Sequence, residues 1–194
     1  MKTRRQILEA AFAEFYHNGF QGGSINRIVD QARITKGALF HHFRGKNDLG
    51  YAVVREVIHP QLREHWAEPM SVSTDPITDL KRLFRQCTKQ EIEKGSIHEG
   101  CPLNNLAQEM SPLDEEFRRS LEQVYSGWRD CLAAAFARGK KAGTVRKSVS
   151  PRKVAGFIVA AQAGIMGTAK NAQSKELLME LNEALFDYLD SLRP

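Results

Sequence analysis

The sequence predicts an all-α fold of about nine helices, and two observations support this. Apolar residues recur along most of the chain at the three- and four-residue spacing of a single helical face. No segment alternates apolar and polar residues over enough length to predict a strand. With 194 residues, 42% of them hydrophobic and 26% charged, the chain has the composition of an ordinary globular protein that needs neither disulfide nor metal to hold its core.

Three helices are predicted near the N-terminus. The first covers residues 3–18 and stops at Gly19, since glycine readily takes the left-handed backbone that follows a helix. Ser24 is placed to cap a short second helix, and Thr35 is placed to cap a third at 36–42.

The later helices are predicted from their start signals. A long helix covers about 46–66, with a kink near Pro60. Three further helices begin where a capping residue precedes a proline, and the last helix begins near Ser174. The three capping pairs are Asp75-Pro76, Ser111-Pro112 and Ser150-Pro151.

The positive charge of the chain is concentrated in its first third. Residues 1–63 hold ten lysines and arginines against five acidic residues, which accounts for the whole net charge of +5. A polyanion is therefore the expected partner of this region, and nucleic acid is the commonest one. A solvated basic face is the alternative that charge alone leaves open.

Two short helices joined by a tight turn at 32–34 have the layout of a helix-turn-helix DNA-binding unit. A short helix reaches the bases of the major groove, which is about 12 Å wide, only if neighbouring helices hold it clear of the surface. Its outward face would show the polar and small residues of 35–42. The apolar side chains available for the supporting core are Phe12, Phe15, Ile28, Val29, Ile34, Leu39 and Phe43.

Residues 3–50 closely resemble the N-terminal domain of the tetracycline-repressor (TetR) family of dimeric bacterial transcriptional regulators. The resemblance lies in ILEAA at 7–11, Gly19-Phe20, and above all ARITKGALFHHF at 32–43. Two positions depart from the family pattern. Phe40 replaces the usual tyrosine and has no hydroxyl for a phosphate, and Arg33 replaces the usual glycine of the turn.

The resemblance implies a DNA-binding domain at 1–47, a helix-turn-helix at 24–43 with its recognition helix at 36–42, and an effector-binding and dimerisation domain at 48–194. The partner would be a double-stranded operator, bound as a palindrome by a homodimer. The residues predicted to contact DNA are Ser24, Arg27, Thr35, Lys36, Gly37, Ala38, Phe40, His41, His42 and Lys46.

The last two helices are predicted to form the dimer interface, because 151–170 carries small residues and 175–192 has a wide leucine stripe. An internal hairpin of a monomer is the alternative. The interface residues named by this prediction are Phe157, Ala161, Gly164, Leu178, Leu181 and Leu185.

The middle helices are rich in aromatic, methionine and cysteine residues, which are typical of a plain core. In a regulator that resembles this family they are also expected to enclose a pocket for a lipophilic or aromatic effector that releases the protein from DNA. The predicted ligand-binding residues are Phe84, Cys87, Cys101, Asn105, Met110, Phe117, Tyr125, Trp128, Gln162 and Met166.

Other functions are considered as alternatives. Cys101 lies in a loop between Gly100 and Pro102, so the chain could sense oxidants or electrophiles through this thiol. A helical enzyme is a remote alternative, because no catalytic triad, phosphate-binding glycine loop or metal-ligand cluster is recognisable. No cofactor or metal is expected. Three cysteines without a paired motif, and no signal peptide or apolar span, predict a cytoplasmic protein.

Overall fold

The structure is a computed structural model that describes residues 2–194. Met1, the first residue of the predicted DNA-binding domain, lies outside them. The helices are α1 (Lys2–Gly22), α2 (Ile25–Ala32), α3 (Lys36–His42), α4 (Lys46–Val53), α5 (His59–Leu62), α6 (Glu68–Ser71), α7 (Pro76–Lys94), α8 (Pro102–Met110), α9 (Glu115–Ala142), α10 (Pro151–Ala172) and α11 (Lys175–Asp190).

The stretch 46–71 is one helical run, longer than the predicted 46–66, and two π-helical segments at Val54–Ile58 and Arg63–Ala67 separate α4, α5 and α6. The first segment ends where the His59 N–H donates to the carbonyl of Val54, five residues earlier. Pro60 then follows without an N–H of its own, so the run is irregular where the sequence predicts a kink. With this run counted as one helix, residues 2–194 hold nine helices, which confirms the predicted all-α fold.

Most helix starts agree with the predicted caps. The Asp75 carboxylate accepts from Thr78 N at 3.2 Å, and the Ser174 hydroxyl accepts from Leu177 N at 3.1 Å. The start predicted at Ser111-Pro112 is wrong. There the chain makes a turn in which the Asp114 N–H donates to the carbonyl of Met110, and α9 begins only at Glu115.

The chain forms two compact units. Unit 1 comprises the residues up to Gln61 together with Pro102–Val124, and unit 2 comprises Leu62–Cys101 and Tyr125–Pro194. The boundary predicted between residues 47 and 48 falls inside unit 1, because α4 and α8 both pack against α1. That boundary divides the chain by function and stays a prediction.

In unit 1, aromatic rings from α1 and α9 close over α4. Phe20 and Phe117 lie with their ring centroids 4.7 Å apart, and Gly50 faces both rings. A Cβ at Gly50 would come within 2.5 Å of Phe117 and 2.6 Å of Phe20, so only glycine permits this close approach.

In unit 2, α7 and α10 pack against α11 around a separate apolar core. Its aromatic centre consists of Trp66, Phe84 and Trp128, and the Trp66 ring centroid lies 4.9 Å from that of Phe84 and 5.4 Å from that of Trp128. Across the described part of the chain, no helix combines the length and the apolar character needed to cross a membrane.

Candidate nucleic-acid interface and apolar core

The turn between α2 and α3 has the geometry of a helix-turn-helix. Arg33 ends α2 in the left-handed conformation, with φ of 52° and ψ of 49°. This backbone costs little for glycine but more for arginine, so Arg33 accepts a backbone angle that glycine would adopt more easily. The Thr35 hydroxyl then accepts from Ala38 N at 3.1 Å and begins α3, as predicted.

The buried side of α3 anchors it to unit 1. Leu39 is fully buried, Phe43 directly after the helix is 1% exposed, and Ile28 of α2 is fully buried. These residues are the supporting core that the sequence predicts for a helix held clear of the surface.

The opposite side of α3 faces solvent. This side carries four exposed residues, Thr35, Lys36, Gly37 and His41. It also carries Phe40, which is 51% exposed. Ala38 and His42 are half-buried at the margins of this face. We call the set Thr35, Lys36, Gly37, Phe40 and His41 the recognition face.

Three other predicted DNA contacts are already bound within unit 1. The Lys46 amine donates to the carbonyl of Gln21 at 3.0 Å and lies 4.9 Å from the centre of the Phe20 ring. Burial lowers the pKa of this amine, although neighbouring Glu109 and Glu14 partly offset the effect. The other two residues, Ser24 and Arg27, lie at the start of α2 and make contacts there that stabilise it.

Glu14 organises the start of α2 from a buried position on α1. Its carboxylate, only 6% exposed, accepts from Ser24 N at 2.9 Å, from Arg27 Nε at 2.8 Å and from Asn18 Nδ2 at 3.2 Å. Arg27 also donates from Nη2 to the carbonyl of Gly22 at 2.8 Å. Sequence reasoning missed Glu14, yet a carboxylate between Ala11 and Phe15 on an apolar helical face is a signal that a buried charge has partners.

A second carboxylate that the sequence did not predict stabilises the break in α1. Gly19 has a left-handed φ of 73°, which confirms the predicted stop although helix resumes after it. The next two N–H groups, of Phe20 and Gln21, donate to the Glu109 carboxylate of α8 at 2.8 and 2.7 Å. Glu109 therefore supplies acceptors for N–H groups at a point where the helical backbone is interrupted.

Two exposed cations flank the recognition face. The Arg33 side chain lies on the surface at the turn, and the Arg44 side chain is 94% exposed, 3.9 Å from the Asp48 carboxylate. With Lys36 they are the cations that this region leaves most open to solvent, because Lys46 and Arg27 are held by internal acceptors. Among residues 2–194, no group of three or more histidine, cysteine, aspartate or glutamate side chains is placed to hold a metal ion.

The predicted ligand-binding residues fall into both units. Phe84, Cys87, Tyr125, Trp128 and Met166 belong to or pack against the apolar core of unit 2. Gln162 lies on α10 in the same unit, and Cys101 is the last residue of that unit's first segment. Three more, Asn105, Met110 and Phe117, lie in unit 1, where the Phe117 ring packs against Phe20. Trp66 was missed, although its ring joins those of Phe84 and Trp128.

An open groove of about 420 Å³ lies between α7 and α11 on unit 2. Ile92, Met179 and Phe186 provide apolar lining, and Asn182 adds an amide. None of the ten predicted ligand-binding residues lines this groove.

The predicted dimer residues divide by burial. Phe157 is 51% exposed with its ring packed on Tyr188 at 4.6 Å, and Gly164 is exposed. Ala161 and Leu181 are half-buried, completing a surface that a partner can reach. Two leucines of the stripe lie in the core of unit 2 instead, Leu178 at 1% and Leu185 at 4% exposure.

Comparisons with known proteins agree with this geometry. The model of bacterial regulatory proteins of the tetR family matches residues 7–53, and the model of tetracyclin repressor-like C-terminal domains matches 76–185. The HTH-type transcriptional repressor DhaR of Mycobacterium sp. (strain GP1) is 24% identical over 96% of this chain and 92% of its own length. The HTH-type transcriptional regulator LmrA of Bacillus subtilis is 29% identical over 74% of this chain and 79% of its own.

Solved structures share the fold. The regulatory protein TetR from Rhodobacter sphaeroides superposes with a TM-score of 0.85 at 22% identity, covering 96% of this chain and 98% of that one. The reduced form of NemR from Escherichia coli superposes with a TM-score of 0.80 at 22% identity, covering 99% and 97%.

The Glu14 contacts predict a pH-dependent contribution to stability. Burial raises the pKa of Glu14, but hydrogen bonds from Arg27, Ser24 and Asn18 together lower it below its ordinary value of 4.5. The charged carboxylate therefore stabilises the fold fully above that value, and its contribution is lost as the pH falls through the lower, folded-state pKa. Glu14→Gln should reduce the free energy of unfolding by about 1–2 kcal/mol at neutral pH, and the difference from wild type should shrink in acid.

Chemical denaturation followed at pH values from about 7 to 3 measures this effect. Glu9→Gln is the matched control, because Glu9 is exposed and pairs with Arg5 one turn earlier on the same helix. A difference between wild type and Glu14→Gln that stays constant over this pH range would contradict the assigned role of the carboxylate.

Proposed function

The chain belongs to the tetracycline-repressor family of DNA-binding transcriptional regulators, and from this premise we propose that it represses transcription by binding a palindromic operator as a homodimer. A small lipophilic or aromatic effector releases it from the operator. Such a regulator acts in the cytoplasm, where its operator lies.

The recognition face is the observation that carries this proposal. An exposed face on a short helix, opposite the fully buried Leu39, is what direct reading of base edges in a major groove requires. Phe40 suits apolar contact with a thymine methyl or a sugar, whereas Thr35 and His41 offer hydrogen-bonding groups. Selection of bound duplexes from a random pool tests the proposal, and a palindromic consensus is the expected result.

The exposed cations supply the affinity for the DNA backbone. Lys36, Arg33 and Arg44 are exposed around the recognition face, and each phosphate that they neutralise releases condensed counterions. Lys46 differs, because a phosphate contact there would replace its bond to the carbonyl of Gln21. The predicted role of Lys46 is therefore better served by the N–H groups at the start of α4 than by the amine alone.

Lys36→Ala should weaken binding to all duplexes by a similar factor, because a phosphate contact carries no base information. The slope of log affinity against log salt should fall by about one for each subunit contact that is lost. Fluorescence anisotropy with the selected duplex at several salt concentrations measures both quantities. Lys141→Ala is the control, because Lys141 is exposed at the end of α9 in unit 2 and should leave the slope unchanged.

Binding as a dimer is expected because a single recognition helix contacts too little DNA to bind tightly. One α3 buries little surface, whereas two related by a two-fold axis read half-sites about 34–36 Å apart. The surface of Phe157, Ala161, Gly164, Leu181 and Tyr188 supports this role, because its small residues permit close approach between helices while its rings provide apolar area.

Phe157→Asp should convert a dimer of twice 21.9 kDa into a monomer, because it buries a charge against the partner's apolar surface. Sedimentation velocity at micromolar concentration detects the change. Leu113→Asp is the matched control, since Leu113 is a 61% exposed apolar residue of unit 1. Equal behaviour of the two variants, or a wild-type chain that sediments as a monomer, would rule out this interface.

The effector acts by shifting a conformational equilibrium. It binds more tightly to a conformation in which the two recognition helices are wrongly spaced for successive major grooves. A 100-fold preference for that conformation corresponds to about 2.7 kcal/mol, which is enough to release an operator. The core of unit 2 consists of apolar side chains, which suits an effector that is mostly apolar.

Cys101 supports a second candidate function, the sensing of oxidants or electrophiles. It is half-buried and directly precedes Pro102, the first residue of α8, and a helix N-terminus favours the reactive thiolate. The other two cysteines are less suited to this role. Burial raises the pKa of Cys87 to about 11, and burial also raises the pKa of Cys131.

Cys101→Ser tests this function directly. If the thiol is the sensor, hypochlorite should abolish operator binding by the wild type but not by Cys101→Ser. Cys87→Ser is the control and should lose binding like the wild type. Equal sensitivity of wild type and Cys101→Ser removes the redox function and leaves the effector-controlled repressor unaffected.

A further inference from the structure

Two buried polar atoms of unit 2 have no hydrogen-bond partner. Among residues 2–194 they are the Nε1 atom of Trp128, on α9, and the Oε1 atom of Gln162, on α10. One is a donor and the other an acceptor. Buried polar side-chain atoms nearly always have partners in folded proteins, so each exception calls for an explanation.

Trp128 lies in an apolar environment. It is 4% exposed, its ring centroid lies 5.4 Å from that of Trp66 with the ring planes tilted by 41°, and one helical turn further along α9 the side chain of Leu132 is fully buried. A phenylalanine would fill this setting without leaving an N–H unpaired. The indole therefore brings a donor into a region that otherwise contributes only apolar contacts.

Gln162 of α10 is half-buried, and its Oε1 atom is fully buried. Ile158 one turn before it is fully buried, and Ile165 and Ala169 after it are 8% and 1% exposed. Met166, four residues on, packs against the same apolar core that contains Trp128. Residues at these spacings share one helical face, so the amide is directed toward the interior of unit 2.

We propose that Trp128 and Gln162 are the polar recognition pair of the effector site. The Trp128 N–H donates to an acceptor oxygen of the effector, and the Gln162 carbonyl accepts from an N–H or O–H of the same molecule. The ligand class is therefore a compact aromatic compound that carries both an acceptor and a donor, such as a primary amide. This inference rests on the proposed effector-controlled function and specifies the chemistry of that site.

Three probes of similar size separate the two contacts. Ethylbenzene has neither polar group, acetophenone adds only an acceptor, and benzamide adds both an acceptor and a donor. In the wild type, each added group should tighten binding roughly 3- to 10-fold, the effect of one hydrogen bond. Trp128→Phe should abolish the advantage of acetophenone over ethylbenzene. Gln162→Met should abolish the advantage of benzamide over acetophenone.

The state of the indole can be followed without removing it. The chain has two tryptophans, so Trp66→Phe leaves one indole N–H signal in a ¹⁵N NMR spectrum and assigns it to Trp128. Acetophenone and benzamide should move that signal, and ethylbenzene should move it much less. Trp66→Phe is also the matched control for binding, since it makes the same exchange in the same ring cluster but should keep the order of the three probes.

Either of two results overturns the proposal. The first is that no probe binds or moves the Trp128 signal, which is the result expected if a buried water alone forms hydrogen bonds with both atoms. The second is that the order of affinities survives in Trp128→Phe and Gln162→Met. Operator binding and sedimentation of the same proteins without probe report separately on the proposed repressor, so its failure is distinguishable from failure of this site.

Discussion

The orientation of the DNA-binding helices depends on the buried carboxylate of Glu14. A charge in such a position is costly unless donors surround it, and here the donors are Ser24 N, Arg27 and Asn18. Two of them belong to the start of α2, so the interaction that solvates the charge also fixes α2 on α1. The left-handed turn at Arg33 then sets the direction of α3. A buried side chain of α1 thus helps to orient the helix that carries the recognition face.

The distribution of cations shows why net charge locates a DNA-binding region but not its phosphate contacts. Arg27 and Lys46 contribute to the positive excess of the first 63 residues, yet their charged groups bind Glu14 and the carbonyl of Gln21. Both stabilise the helices that carry the recognition face. Lys36, Arg33 and Arg44 remain in solvent, where a counterion can be exchanged for a phosphate. Lysine and arginine are thus held by internal acceptors in one place and left open to solvent in the other, according to the acceptors nearby.

The sequence was sufficient for features that depend on neighbouring residues. Apolar spacing predicted the helices, and the caps at Ser24, Thr35, Asp75 and Ser174 follow from side chains three positions before their N–H partners. Features that depend on distant residues were missed. Glu109 binds backbone groups 88 and 89 positions away, and no local pattern specifies such a contact. Ser111-Pro112 has the signature of a helix start, but the turn that ends α8 occupies it and Asp114 caps α9 instead.

The same limit applies to burial in unit 2. The leucine stripe of α11 shows that the helix is covered, but it does not distinguish cover by the chain's own core from cover by a second subunit. Leu178 and Leu185 are buried within unit 2, whereas Leu181 and Tyr188 are open enough for a partner.

An apolar pattern also gives no information about hydrogen-bond partners, so it does not reveal that Trp128 Nε1 and Gln162 Oε1 lack them. Unpaired polar groups lower the stability of the ligand-free core, and a ligand that pairs them gains differential affinity for the state that admits it. A regulator needs two states of similar free energy, and a core with unmet hydrogen bonds brings them closer together.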